Sequence, residues 1–152
     1  MPSKIQKSWV ESANDSSNDF PLQNLPYGVF KSKKDPREPR ICVAIGNYAL
    51  DLKGCAEANL LDGINDKTRS TLQKEVLNDF MSLEKEQHLL LRQKVTDLLT
   101  NDTLTIRDNP ALKNTLLLPR SEIELLMPIQ IGDYTDFYAS LHHASHVGSI
   151  MR

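Results

Sequence analysis

The chain has 152 residues, 39% of them hydrophobic and 25% charged, with a formal net charge of −2 and an isoelectric point near 6.1. That is enough for one ordinary domain, or a small domain with part of another, and the charge gives no general attraction to nucleic acid or anionic lipid. No stretch reaches the 18 or more apolar residues of a membrane span, and the N-terminus has no signal-peptide core, so the expectation is a cytoplasmic protein binding neither membrane nor nucleic acid.

Residues 1–19 are polar and rich in Ser, Asn and Asp, and read as a flexible arm with Trp9 and Val10 as its anchors. FPLQNLPYGVF (20–30) is punctuated by Pro21, Pro26 and Gly28, which predicts a turn and then a short strand through Val29. The basic run KSKKDPR (31–37) reads as a solvated loop. In RICVAIGNYALDL, Ile41, Val43 and Ile45 alternate with Cys42 and Ala44, and Gly46-Asn47 marks a turn. The pattern predicts a hairpin returning through Tyr48 to Leu52, in a small antiparallel sheet. Cys42 and Cys55 read as two buried thiols of a reducing compartment.

Short helices are expected around 55–61 and 68–76. The clearest periodicity runs from Asp79 to Leu99, where Phe80, Leu83, Gln87, Leu91, Val95 and Leu98 follow a helical repeat. One helix packed on the sheet is expected, with Asn78 or Asp79 as its N-cap and His88 as a half-buried packing residue. Asn109-Pro110 separates the apolar patches at 104–106 and 116–118, and RSEIELLMP, between Pro119 and Pro128, reads as one more strand or turn. The composition shifts near residue 125, and the stretch beyond it is too short for a core of its own.

Three of the four histidines lie in the last 22 residues, IGDYTDFYASLHHASHVGSIMR. With Thr135 as N-cap, a helix toward Ser145 would put Asp136 and His143 two turns apart on nearly one face. Asp136 then offers oxygens to a hard cation such as Mg²⁺ or Ca²⁺, and His143 a base suited to neutral pH. Tyr138 points away from that face, and Arg152 lies beyond Gly148, free to return as a carboxylate clamp. Three alternatives stand beside this: Asp136 as a cap, the aromatics as core, and His142, His143 and His146 as a zinc site.

PIQIGDYTDFY, FPLQNLPYGVF and DPREPRICVAIGNYALDL together resemble, in order and spacing, the fumarylacetoacetase family, and the resemblance runs from about Asp19 to Arg152. It implies a mostly β fold with helices. An arm (1–19) precedes a small SH3-like barrel domain (20–125) packed with a long helix, and 126–152 begins a β-rich catalytic domain. The implied activity is metal-dependent hydrolysis of a carbon–carbon bond in 4-fumarylacetoacetate, a small diketo acid of tyrosine and phenylalanine catabolism, giving fumarate and acetoacetate. Asp136 is implied as a ligand of Ca²⁺ or Mg²⁺, His143 as the base activating water, and Tyr138 and Arg152 as substrate contacts, in an enzyme that is a homodimer when complete. The carboxylate that orients the histidine and the further metal ligands of such a site have no counterpart in this chain. It therefore reads as an incomplete, inactive portion of the enzyme, or as a non-catalytic module for dimer or regulatory contacts.

Overall fold

The computed structural model describes residues 6–36, 38–135 and 137–152. In chain order its elements are β1 (Tyr27–Ser32), β2 (Arg40–Ile45), β3 (Tyr48–Asp51), α1 (Leu52–Glu57), α2 (Asp66–Thr71), α3 (Asn78–Met81), α4 (Lys85–Leu99), α5 (Pro110–Leu116), β4 (Leu117–Pro119), β5 (Ile123–Leu126) and α6 (Leu141–Ile150). Among the described residues, none of these helices is long and apolar enough to cross a membrane.

The strands form an antiparallel sheet in the order β4-β3-β2-β1-β5. The β2–β3 hairpin turns through Gly46-Asn47, with Ile45 opposite Tyr48. Gly46 has φ +52°, the left-handed value that a two-residue hairpin demands at its first central position. A side chain there would also strike Ser12 and Ala13, because the N-terminal 3₁₀ turn Glu11–Asn14 lies against the hairpin.

The sheet has to curl. Laid flat, its edge strands β4 and β5 would stand about 19 Å apart, four strand spacings. Yet only Arg120–Glu122, a 3₁₀ turn, joins them, and four Cα steps reach at most about 14 Å. The two faces differ accordingly. Val29, Ile41, Val43, Ile45, Leu50 and Leu117 share one core with the helices. Phe30, Cys42, Ala49 and Ile123, with Leu118 against them, cluster with no helical residue at all. The second face is closed by its own strands, so it is the inside of an open half-barrel.

The helices cover the outer face. The predicted stripe is buried at Phe80, Leu83, Leu91, Val95 and Leu98, while Gln87 accepts a hydrogen bond from Thr68 Oγ1 at 2.9 Å. The single helix expected over 79–99 is in fact two, broken at Ser82–Glu84. Ser82 Oγ donates to the Asp79 carbonyl, a side-chain bond that competes with helix continuation, and the bend sends both Phe80 and Leu83 inward. His88 packs edge-on to Phe80, ring centroids 4.6 Å apart, as its packing role requires. Helix α5 lies where a separator was expected: Asn109 caps it through Leu112 N, and Pro110 occupies its first turn, the position where a missing N–H costs nothing.

Within the stretch read as an arm, residues 8–14 lie against the domain. Trp9, Val10 and Ala13 belong to the main core. Ser8 bridges to Thr100, and Trp9 Nε1 donates to the Leu98 carbonyl at 2.9 Å. At the other end the chain is tied down through Gln130, which pairs with Asn78 by two hydrogen bonds of 2.8 and 2.9 Å, and Leu77 N donates to the Pro128 carbonyl.

Candidate functional site

Beyond Gln130 the chain leaves the core. Tyr134 and Phe137 are 84% and 83% exposed, Leu141, Ile150 and Met151 are exposed as well, and α6 contributes no buried residue. This segment holds every candidate site residue. Asp136 lies outside the described residues, so its relation to the others is not part of the structure.

The expected helix from Thr135 does not form. Helix α6 starts at Leu141, where Ser140 is the N-cap and accepts from His143 N at 3.4 Å. A serine cap is as good as the threonine that was expected. Thr135 and Phe137–Ser140 carry no regular structure. His143 sits in the first turn of α6 instead. Tyr138, at φ +51°, turns its ring toward it, with centroids 5.3 Å apart and planes inclined at 47°. Arg152 follows the end of α6 and is exposed.

Among the described residues no three His, Cys, Asp or Glu side chains are grouped to hold a metal ion, His142, His143 and His146 of the zinc alternative included. On a helix, adjacent positions such as His142 and His143 point about 100° apart. The same observation bears on a hard cation. Ca²⁺ takes six to eight oxygens and Mg²⁺ about six, and the described residues alone do not supply such a set.

Two depressions occur elsewhere, at the half-barrel. A groove of about 720 Å³ opens on its inner face between Phe20, Gly28, Ala44, Tyr48, Arg120 and Leu125. Its walls are mostly apolar and, among the described residues, carry no nucleophile–base pair. A cleft of about 570 Å³ lies beside Phe30, Glu38, Arg40 and Asp51. Asp51 is 4% exposed, caps α1 through Gly54 N at 3.0 Å and stands 2.7 Å from Arg40 Nε. Burial, against the pull of Gly54 N and Arg40, pushes its carboxyl above the ordinary carboxylate value. The sequence reading missed this pair. The available signal was Asp51 as the last residue of a strand, followed at once by a helix.

Both cysteines are free and buried. Burial, with Asp51 nearby, pushes the Cys42 thiol up to about 12 and the Cys55 thiol upward too, so neither is a nucleophile.

A family model described as "Fumarylacetoacetase N-terminal" matches residues 23–128. The chain belongs to the fumarylacetoacetase family. Fumarylacetoacetases from Dictyostelium discoideum, Oryza sativa subsp. japonica and Homo sapiens are 45%, 41% and 38% identical to it, over 97%, 96% and 95% of the chain. In each case the match covers 34% of the relative, so the chain spans about a third of the length of these proteins. The identity continues past the family model into the exposed segment with Tyr138 and His143, which is not needed to build the core.

Proposed function

We propose that the chain is the N-terminal portion of a hydrolase that cleaves the carbon–carbon bond of 4-fumarylacetoacetate to fumarate and acetoacetate, and that it is inactive alone. The observation that carries this is the near-complete coverage of the chain by fumarylacetoacetases at 38–45% identity. In this reading His143 takes a proton from water, whose oxygen adds to the carbonyl beside the scissile bond. The bond then breaks, its electron pair leaves on the acetoacetate carbon, and that carbon is reprotonated. Tyr138 contacts the substrate, and Arg152 holds a carboxylate by its paired donors. Asp136 is one carboxylate for Ca²⁺ or Mg²⁺, with the remaining ligands outside these residues.

Residues 20–125 are read as an SH3-like barrel domain, supported by the antiparallel order β4-β3-β2-β1-β5, with β5 reaching β1 after a 3₁₀ turn. The stretch 126–152 is read as the start of a catalytic domain, which would cover its exposed aromatics. A cytoplasmic address fits two unpaired thiols, and the complete enzyme is read as a homodimer.

A second reading, a non-catalytic module for dimer or regulatory contacts, is favoured by a core that closes without any residue beyond Ile129. The test joins this chain to the remaining two thirds of the Dictyostelium discoideum relative and assays 4-fumarylacetoacetate hydrolysis. The hybrid is expected to turn over, with His143→Asn slowing it about 10²–10⁴-fold and Asp136→Ala raising the metal concentration it requires. An active hybrid indifferent to both substitutions would leave the module reading.

A further inference from the structure

Tyr138 holds a backbone conformation that tyrosine rarely adopts. Its φ of +51° lies in the left-handed region, where a β-carbon crowds the following carbonyl. Among the described non-glycine residues only Asn59 shares that sign, and asparagine tolerates it well. Burial does not explain the strain, because Tyr138 is 48% exposed and lies outside both apolar clusters.

Placement does explain it. Ala139 and Ser140 alone separate Tyr138 from α6, and the left-handed step turns the tyrosine ring back onto the first helical turn. There it stands 5.3 Å from the imidazole of His143, inclined at 47°, within the range of a tilted aromatic pair. His142 and His146, on the same helix, have no aromatic ring contact among the described residues. Strain persisting at an exposed residue that places its ring against a neighbouring imidazole is the pattern of a functional constraint.

We propose that Tyr138 is a positioning residue for His143. Its left-handed turn sets an aromatic wall against the imidazole and fixes the direction in which the ring faces before any substrate arrives. The inference rests on the reading of His143 as the base, which gives the positioning its purpose. The contact itself belongs to the unliganded 152-residue chain and is measured there.

The test is NMR of this chain, with His142 and His146 as internal references. In the wild type, cross-relaxation between the ring protons of Tyr138 and His143 is expected, with the His143 imidazole resonances displaced from those of His142 and His146. Tyr138→Phe keeps the ring and should keep both signatures. Tyr138→Asn keeps tolerance for the left-handed backbone but removes the ring; cross-relaxation should vanish and the His143 resonances should shift toward those of the other two. Neither variant touches the core, so the methyl resonances of Leu91 and Val95 should stay in place. His143 resonances that coincide with those of His142 and His146 in the wild type, or that do not move in Tyr138→Asn, would overturn the proposal. A hybrid enzyme lacking turnover would count against the hydrolase reading and leave this contact as measured.

Discussion

Replacing Asp51 by Asn and by Ala separates two things this residue does. Its carboxylate caps α1 through Gly54 N at 3.0 Å, and it stands 2.7 Å from Arg40 Nε, off the hydrogen-bond axis of that N–H. Losing an N-cap costs about 1 kcal/mol. Stranding a buried charge costs about 3–5 kcal/mol, but Arg40 is 27% exposed and keeps Glu57 at 3.4 Å, so that figure shrinks to roughly 1–2 kcal/mol here. Asp51→Ala should therefore lose about 2–3 kcal/mol, lowering Tm by roughly 5–10 °C for a chain of this size. Asp51→Asn also removes the anion beside Arg40, but it keeps a capping oxygen and sheds the cost of burying a charge, which offsets that loss, so it should lie within about 1 kcal/mol of the wild type.

The pH dependence runs in a definite direction. Burial raises the Asp51 carboxyl in the folded state above its ordinary value of 3.8, so the native chain holds the proton more tightly than the unfolded one. Its stabilising contribution is fully present below that ordinary value and is lost as pH rises through the raised one. The Asn variant, which cannot ionise, should gain on the wild type from pH 3.5 toward neutrality. Urea unfolding of the three proteins across that range is the assay. An Asn variant as damaged as Ala, or one that loses stability relative to the wild type as pH rises, would refute the reasoning.

Gly46→Ala should cost at least about 2 kcal/mol, because φ is +52° and the new carbon would sit 2.3 Å from Ser12 Oγ. Gly63→Ala, at φ +85° with only Lys94 within reach, should cost only about 1 kcal/mol by the same denaturation assay. Trp9→Ala should lose about 3–5 kcal/mol, since the indole is buried and bonded to the Leu98 carbonyl; a loss below about 1 kcal/mol would mean residues 8–14 do not belong to the fold. Cys42 and Cys55 should resist a thiol reagent at pH 8 until urea unfolds the chain, because burial holds the Cys42 thiol at about 12 and raises that of Cys55.

The hairpin was legible in the sequence because alternation and turn agree there. Ile41, Val43 and Ile45 share one face, and Gly46 supplies the conformation the turn requires. The helical stripe was legible for the same reason, though periodicity alone does not register a break when Phe80 and Leu83 on either side are both apolar. Helix α5 was hidden because Asn109-Pro110, read as an interruption, is also a cap and a first turn. Pairing of β5 with β1 is non-local, and nothing in IELL specifies its partner. In the candidate site, the family resemblance pointed to Tyr138 and His143, and the structure brings their rings together. The left-handed turn that does so had no sequence signal, since tyrosine is among the last residues expected there.

The most direct test is turnover of 4-fumarylacetoacetate by the 152-residue chain itself, with Ca²⁺ or Mg²⁺ supplied and Asp136→Ala beside it. A folded chain with no turnover is predicted, because the chain spans only about a third of the length of the fumarylacetoacetases it matches. Metal-dependent turnover that disappears in Asp136→Ala would contradict the account, since these residues would then form a complete catalytic site.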